Sequence, residues 1–492
     1  MSQKDKRSGG PFFLSDIAPN FITFPEIYQQ LTREAVTLIF DIGKTTKKVL
    51  LFDEESHVLE EQTESLTEIV DDDGFPCEDL NALTSWANDR MQYFLQHPKY
   101  VVTHINHAAY GASLVHIGHN GKALEPFYNY LKPLPKSCEE LFFKNYNSNK
   151  DILATTASPY LGLLNSGLQL YMIKHCKPEH FSRISTTLHF PQYFSYLLTK
   201  KLFADITSIG CHTMLWDFKR NDYHHWVDAE GLRKLFPPVA SADTSIDFQH
   251  HDLNIKVGIG VHDSSAALMP YLVTMKEKFM LLSTGTWNIC FNPFNEELLT
   301  ENELSQDCLS FFTYDSKSVK ASRIFLGHEH ELQQKILAAH FSVEPEFYKT
   351  VNFNAALFRK INNDRSRVKF QPLGMEGTGP TLKDAPGKTN YSSFENFEEA
   401  QHHLIIQLVR WQKLSIDLVD PGNGLGRPVH HFRLLYRVST RILHCYFQLE
   451  EDHIFFVLLY KIPESRSAYF IDIAVRVFFI RDQYQFYIQS LF

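Results

Sequence analysis

The sequence predicts an α/β protein of two lobes with a cleft between them. Three observations carry this: strand-like and helix-like hydrophobic patterns alternate, the chain is too long for one ordinary core, and two glycine-bearing turns flank a carboxylate segment. The first turn is Asp41-Ile-Gly-Lys-Thr-Thr46 after the apolar run Val36–Phe40. The second is Leu282-Ser-Thr-Gly-Thr286-Trp after Phe279–Ser283, and Gly260-Val-His-Asp263-Ser-Ser lies between them. Each turn reads as a hairpin tip whose backbone N–H groups and hydroxyls cradle phosphate oxygens, so two facing tips would clamp a triphosphate.

The elements follow in order. Residues 1–35 carry no phosphate or catalytic signature and form an N-terminal extension. In the first lobe, residues 36–256, strands at Val36–Phe40 and Lys48–Phe52 flank Gly43, and Leu80, Leu83, Trp86, Met91 and Phe94 give Asp79–Gln96 a helical period. Tyr100–Ile105 and Ala112–Ile117 read as strands, Leu161–His175 and Phe190–Thr199 as helices. In the second lobe, residues 257–426, the strand Lys256–Val261 leads into a small-residue helix at Asp263. The long helix Phe397–Val419 places Leu404, Ile405, Leu408, Trp411 and Leu414 on one side, and Pro421-Gly-Asn-Gly-Leu-Gly426 stops it.

Composition narrows the function. An apolar fraction of 44%, a charged fraction of 21% and a net charge of -9 describe a soluble globular protein and argue against a nucleic-acid partner. An acidic chain that binds an anion must build its positive potential locally, and Lys44, Lys47 and Lys48 cluster beside the first turn. Seven cysteines without a Cys-x-x-Cys pair fit neither a disulfide framework nor zinc, which points to a reducing cytoplasm. No apolar run approaches a membrane span, and Pro11-Phe-Phe-Leu-Ser-Asp16 is too short and too soon interrupted by Asp16 and Pro19 for a signal segment.

Asp263 ends a strand and opens a helix whose small residues let a substrate approach, so it is the candidate general base; an aspartate there also suits a helix N-cap. His262 either tunes Asp263 or packs at the strand end. His328-Glu-His-Glu331 lacks the i, i+4 histidine pair of a zinc helix, and Asp71–Asp73 and Glu54–Glu55 read as solvated loop charge.

Together the three segments resemble the FGGY family of carbohydrate kinases, a branch of the actin-like ATPase superfamily, over roughly Val36 to Gly426. The resemblance implies two actin-like (ribonuclease H-like) lobes with a nucleotide and sugar cleft between them. It also implies ATP-dependent transfer of the γ-phosphate to a hydroxyl of a ketose or related sugar, with ATP and Mg2+ as cofactors. A small-molecule sugar would be the partner, and a homodimer is compatible. Asp263 would be the base, since Gly260, Asp263, Ala266 and Ala267 match the family's Gly-x-x-Asp-x-x-Ala-Ala pattern. Asp41, Gly43, Lys44, Thr45, Thr46 and Lys48 would form the first phosphate site, with Asp41 facing Mg2+ through water. Lys44 replaces a family threonine and would bind phosphate as a point charge. Ser283, Thr284, Gly285 and Thr286 would form the second. The Gly-Thr-Trp287 ending is most like the rhamnulokinase and fuculokinase side, which hints at a deoxy-ketohexose; Trp287 is either a sugar-site residue or a core aromatic. His107, Tyr110 and Gly111 would join Asp263 and Trp287 at the sugar. Thr199, Asp205, Thr207, Ser208, Thr213 and Asp217 fall in the run that closes the family's sugar side.

The resemblance ends at Gly426. Residues 427–492 contain no glycine, although the chain has 22, and they lack the Gly-Gly turn with which the family holds adenosine. This atypical tail suggests a reading-frame change near codon 427. It raises the alternative of a catalytically weakened sugar- or nucleotide-binding pseudokinase of the same fold. An actin-like or chaperone-like ATPase would lack the Asp205–Asp217 and Gly260–Ala267 patterns.

Overall fold

A computed structural model describes residues 33–146, 151–274, 278–352, 354–363, 369–375, 377–382, 387–420 and the strand 433–438. Most of the expected extension, the Pro421–Gly426 stop and the tail apart from that strand lie outside the described residues.

The first hairpin forms as expected. β1 (Glu34–Ile42) and β2 (Lys47–Phe52) pair antiparallel with Asp41 opposite Lys48, and β3 (Val58–Glu64) extends them. Alternation decides the faces of β1: Val36, Leu38, Phe40 and Ile42 enter the main core, while Ile39 packs with Leu50 and Phe52 on the other side. α1 (Leu80–Leu95) covers that core, and its N-cap Asp79 accepts a hydrogen bond from Ala82 N at 2.9 Å. β4 (Tyr100–Ala109) lies parallel to β1. α2 (Phe190–Thr199) ends where Lys200 turns left-handed at φ 55°. β5 (Ser245–His250), β6 (Leu253–Gly258) and β7 (Val261–His262) complete a seven-stranded sheet in the order β5-β6-β4-β1-β2-β3, with β7 also on β4.

The second lobe opens with α3 (Asp263–Thr274). β8 (Phe279–Thr284), β9 (Asn288–Asn292), β10 (Cys308–Phe312) and β11 (Ser318–Ile324) then form four strands of a five-stranded sheet, ordered β10-β11-β9-β8, with a fifth beside β8. α4 (Leu326–Phe341) and α5 (Phe397–Asp417) share a core through Leu326, Leu337, Leu404, Leu408 and Trp411. β12 (Arg433–Val438), from the tail, pairs parallel with β8.

Several expectations change. The division at 256/257 falls inside β6, whose Lys256 and Val257 pair with β4, so the first sheet continues through His262. The expected strand Lys256–Val261 is interrupted because Gly260 adopts φ 86°, with Pro191 O only 2.5 Å from where its Cβ would sit. Leu161–His175 is not one helix: a short 3-10 turn, Gly162–Leu164, precedes Ser166–Cys176, and the Asn165 side chain accepts from Leu161 N at the break. Leu414 points outward at 42% exposure, since the buried face of α5 continues from Trp411 through Ser415 and Ile416 instead.

Asp71–Asp73 is solvated loop charge only in part: Asp71 is buried, and the exposed Asp72 and Asp73 are paired. Lys132 Nζ lies 2.6 Å from the buried Asp71 carboxylate and also bonds Asp73, while Lys177 reaches Asp72 at 2.7 Å and Asp73 at 2.9 Å. Burial raises the Asp71 carboxyl, but Lys132 and the amides of Phe75 and Asp73 outweigh it and hold it below the usual range. Lys132 and Lys177 hold Asp73 low as well. Carboxylates depressed in this way stabilise the fold above their unfolded value of about 4 and lose that stabilisation as pH falls through the folded one. Lys132→Met should therefore cost about 3 kcal/mol in urea unfolding at pH 7, with the deficit shrinking below about pH 4. An equal deficit at both pH values would remove the ion pairs as its cause.

Candidate functional site

The site sits at the carboxyl ends of three parallel strands. Asp41 on β1 lies opposite Ala108 on β4, and Ala108 also lies opposite Val261 on β7. With strands about 4.8 Å apart and about 3.3 Å per residue along them, this register sets Asp41 and Asp263, two residues past Val261, about 12 Å apart, with β4 between them. Carboxyl ends of parallel strands are where α/β sheets bind ligands.

The first turn is closed by Gly43 N donating to Thr46 O at 3.0 Å, with Thr45 exposed at its tip. Its lysines do not form the free positive patch expected from sequence. Lys47, 2% exposed, donates to Glu78 Oε1 at 2.6 Å and to Lys44 O at 2.9 Å, pinning the turn from beneath. Lys44 pairs with Glu68 at 2.8 Å and Lys48 with Glu61 at 2.9 Å. Such part-exposed pairs are worth at most about 1 kcal/mol each.

Asp263 starts α3 with its side chain 38% exposed. Ser264 Oγ donates to Asp263 Oδ1 at 3.3 Å, and His262 Nε2 stands 3.2 Å from the same oxygen. The segment before it is anchored from the Asp205 run: His262 N donates to Thr207 Oγ1 at 3.1 Å, and Thr207 in turn donates to Asp205. Asp205 caps the helix Ile206–Ile209 by accepting from Ser208 N at 3.1 Å, and complete burial pushes its carboxyl up to about 7. The other members of that run bond to backbone rather than line the cleft. Thr199 donates to Ser195 O, Thr213 to Ile209 O, and Asp217 accepts from the amides of Lys219 and Arg220.

Two expected sugar residues belong to the core of the first lobe. His107 is stacked between Phe40 and Phe194, with centroids at 5.3 and 5.8 Å, and burial lowers it to about 3. Its strand parity turns it inward. Tyr110 is buried against Phe190 and donates to Glu78 Oε2 at 2.9 Å, so it braces the first turn through Lys47's partner. Gly111 does reach the site from behind: a Cβ there would lie 2.8 Å from His262 Nε2 and 2.9 Å from Cys211 Sγ.

The second turn joins β8 to β9, with Ser283 and Thr284 half-buried and Gly285 and Thr286 exposed. The amino end of α4 presses on it. Gly327 N and His328 N donate to Thr286 O at 3.2 and 3.3 Å, and a Cβ at Gly327 would fall 1.9 Å from Gly285 O, so only glycine fits. Trp287 packs on Phe325 at 4.4 Å and carries the Arg323 guanidinium 5.0 Å above its ring, while Arg323 is paired with Asp307 at 2.5 Å. A cavity of about 450 Å³ opens between the lobes, lined by Tyr130, Lys132 and Tyr160 on one side and Trp287, Asp307 and Arg323 on the other. Its size suits a small polar ligand. Burial, first, and then the charges of Asp263, Glu78 and Glu68 raise the Tyr130 hydroxyl. Tyr130, Asp307, Arg323 and Gly327 escaped the sequence reading because none belongs to a local motif.

Among the described residues no helix is long and apolar enough to cross a membrane. Residues 36–268 match the family model described as "FGGY family of carbohydrate kinases, N-terminal domain". No curated protein matches the sequence significantly. Among solved structures, a carbohydrate kinase from Novosphingobium aromaticivorans shares 24% identity over 79% of this chain and 82% of that one, with a TM-score of 0.64. A ligand-bound xylulose kinase from Lactobacillus acidophilus shares 15% identity over 79% of each chain, TM-score 0.61. A Plasmodium falciparum glycerol kinase with ADP shares 15% over 82% of each, TM-score 0.58. These likenesses establish the two-lobed α/β fold expected from the sequence.

Asp205 gives a pH signature. Because its folded value of about 7 exceeds an unfolded value near 3.8, its contribution to stability is full below about pH 4 and is lost as pH rises through about 7. Asp205→Asn should flatten the stability profile across that window, by up to about 4 kcal/mol, as read by chemical unfolding at each pH. An unchanged slope would mean that Asp205 does not hold a proton in the folded state.

Proposed function

We infer that this chain, which belongs through residues 36–268 to the FGGY family of carbohydrate kinases, transfers the γ-phosphate of ATP to a hydroxyl of a ketose. The observation that carries the reading is the strand register that sets Asp41 and Asp263 at the carboxyl ends of strands on either side of β4 in the first sheet.

Asp263 takes the proton of the attacking hydroxyl, which raises the nucleophilicity of that oxygen as the phosphoryl group departs from ADP. The amides and hydroxyls of the Gly43 and Gly285 turns hold the phosphates from the two lobes, and Lys44 and Lys48 exchange their glutamate partners for phosphate oxygens. The Trp287 ring offers an apolar face to the sugar's C–H groups, and Tyr130, Asp307 and Arg323 offer hydrogen bonds to its hydroxyls. The carboxylate of Asp41 and the exposed hydroxyl of Thr45 are hard oxygen donors that suit Mg2+, held by Asp41 through water. When bound, Mg2+ neutralises charge on the phosphates. A deoxy-ketohexose of the rhamnulose or fuculose type is the proposed acceptor, on the strength of the Gly-Thr-Trp287 ending, and the reducing cytoplasm the proposed setting. The described cysteines are all free, which agrees with that setting.

The test is ADP release by the full chain with Mg-ATP across rhamnulose, fuculose, xylulose, ribulose and glycerol. Sugar-dependent turnover is expected, and Asp263→Asn should lower it about 10³-fold while circular dichroism and sugar binding stay near normal. Near-normal turnover in the variant would remove Asp263 from the base role. Silence across the panel from a folded sample would favour a weakened binding protein instead.

A further inference from the structure

The segment that carries Asp263 leaves the first sheet where regular structure gives out. The β4 ladder ends with His262 opposite Ala109, and α3 begins at the next residue, where the first amides of a helix find no acceptor within it. At this corner His262 N donates to Thr207 Oγ1 at 3.1 Å. The direction of each bond follows from the groups themselves. A backbone N–H only donates, so Thr207 Oγ1 accepts from it, and the hydroxyl proton goes to Asp205 Oδ2, which also accepts from Ser208 N at 3.1 Å. Thr207 and Asp205 are both fully buried, so water does not stand in for either bond. The short helix Ile206–Ile209 that presents Thr207 is itself fixed against the second sheet: at its C-cap, Gly210, a Cβ would fall 2.1 Å from Cδ2 of Phe312 on β10. The carbonyl of the same Phe312 accepts from Ser265 Oγ of α3 at 2.7 Å. Phe312 thus meets the Thr207 helix with its ring and α3 with its backbone, and the bond from His262 to Thr207 closes the triangle.

We propose that Thr207 is a positioning residue for the base: its hydroxyl, oriented by Asp205, holds the main chain at His262 and so sets where the backbone of Asp263 stands against the second lobe. Its hydrogen bonds run to the His262 amide and to Asp205, so it acts on the chain that carries the base and leaves the carboxylate's own contacts aside. Only a hydroxyl serves both partners, with one proton for Asp205 and lone pairs for the amide. A methyl in its place leaves a buried N–H and a buried carboxylate each short of a partner. The effect is local, because the chain two residues earlier is held separately: Gly260 N donates to Asn106 Oδ1 at 3.2 Å, and Gln192 Nε2 to Gly260 O at 2.9 Å. The bond between Cys211 Sγ and His262 Nε2, at 3.1 Å, steadies the ring and not the main chain. Loss of the Thr207 hydroxyl therefore frees the corner without releasing the strand, and a shift of about 1 Å at a reacting group is enough to slow group transfer by up to about 10²-fold.

The catalytic consequence rests on the kinase reading and the anchor does not, and the experiment separates the two. Thr207→Val keeps the volume and removes the hydroxyl; Thr207→Ser keeps the hydroxyl and removes a methyl. In the full chain labelled with 15N-histidine, the His262 amide, assigned with His262→Gln, should exchange with D2O at least about tenfold faster in Thr207→Val than in the wild type, and near the wild-type rate in Thr207→Ser. With the sugar that supports ADP release, kcat of Thr207→Val should fall about 30-fold while the sugar KM stays within about threefold, and Thr207→Ser should recover most of the loss. If Thr207→Val does not fold, Thr207→Ala, which removes the hydroxyl with less bulk, takes its place. Faster His262 exchange in the variant, with no sugar-dependent turnover in the wild type, would sink the kinase reading and leave the anchor standing. An unchanged exchange rate, or faster exchange with kcat and KM both unmoved, would overturn the proposal.

Discussion

The site depends on the register with which one strand, β4, pairs with two others. Backbone ladders to β1 and β7 place Ala108 opposite both Asp41 and Val261, and the two carboxylates inherit their separation from that ladder rather than from any contact of their own. Asn106 on β4 guards the register. Its Oδ1 accepts from Gly260 N at 3.2 Å, and its side chain fills the space where a Cβ on Gly258 would fall 2.4 Å away. The two glycines are thus a steric requirement of the approach between β4 and the β6–β7 break, and a side chain at either would displace Asp263 with them.

Charge at the site is managed by burial more than by accumulation. In a chain of net charge -9, the lysines beside the first turn are each matched to a glutamate, and Lys47 is committed to the Glu78–Tyr110 network beneath it. In the proposed kinase, oriented amides and hydroxyls of the two turns would add to phosphate affinity over short range, which needs both turns held in place. Each is held differently: the Gly43 turn by Lys47 from below, and the Gly285 turn by the amino end of α4, where Gly327 admits contact closer than any side chain allows. The helix that Asp263 opens is tied to the second sheet two residues on, where Ser265 Oγ donates to Phe312 O at 2.7 Å.

Much of this was legible in the chain itself. The β1–β2 hairpin, the helix after Asp79, the helix Phe190–Thr199 and the start of α3 at Asp263 follow from apolar periodicity, caps and glycines, which are local quantities written in consecutive residues. The same locality explains the misreadings. His107 and Tyr110 sit one loop from the site in sequence, but strand parity and the packing of Phe40, Phe194 and Phe190 turn them into the core. The acidic run Asp71–Asp73 reads as solvated until Lys132 and Lys177, some sixty and one hundred residues away, close on it.

The sequence by itself determined the alternation of elements, the two phosphate-turn motifs and the aspartate between them, because each is set by the chemistry of neighbouring residues. Only the tertiary structure decided which side chains line the cavity between the lobes and which glutamate each lysine of the first turn is paired with. Those depend on distances between strands and helices far apart in the chain: Tyr130, Asp307 and Arg323 meet across the lobes at a place no local pattern marks.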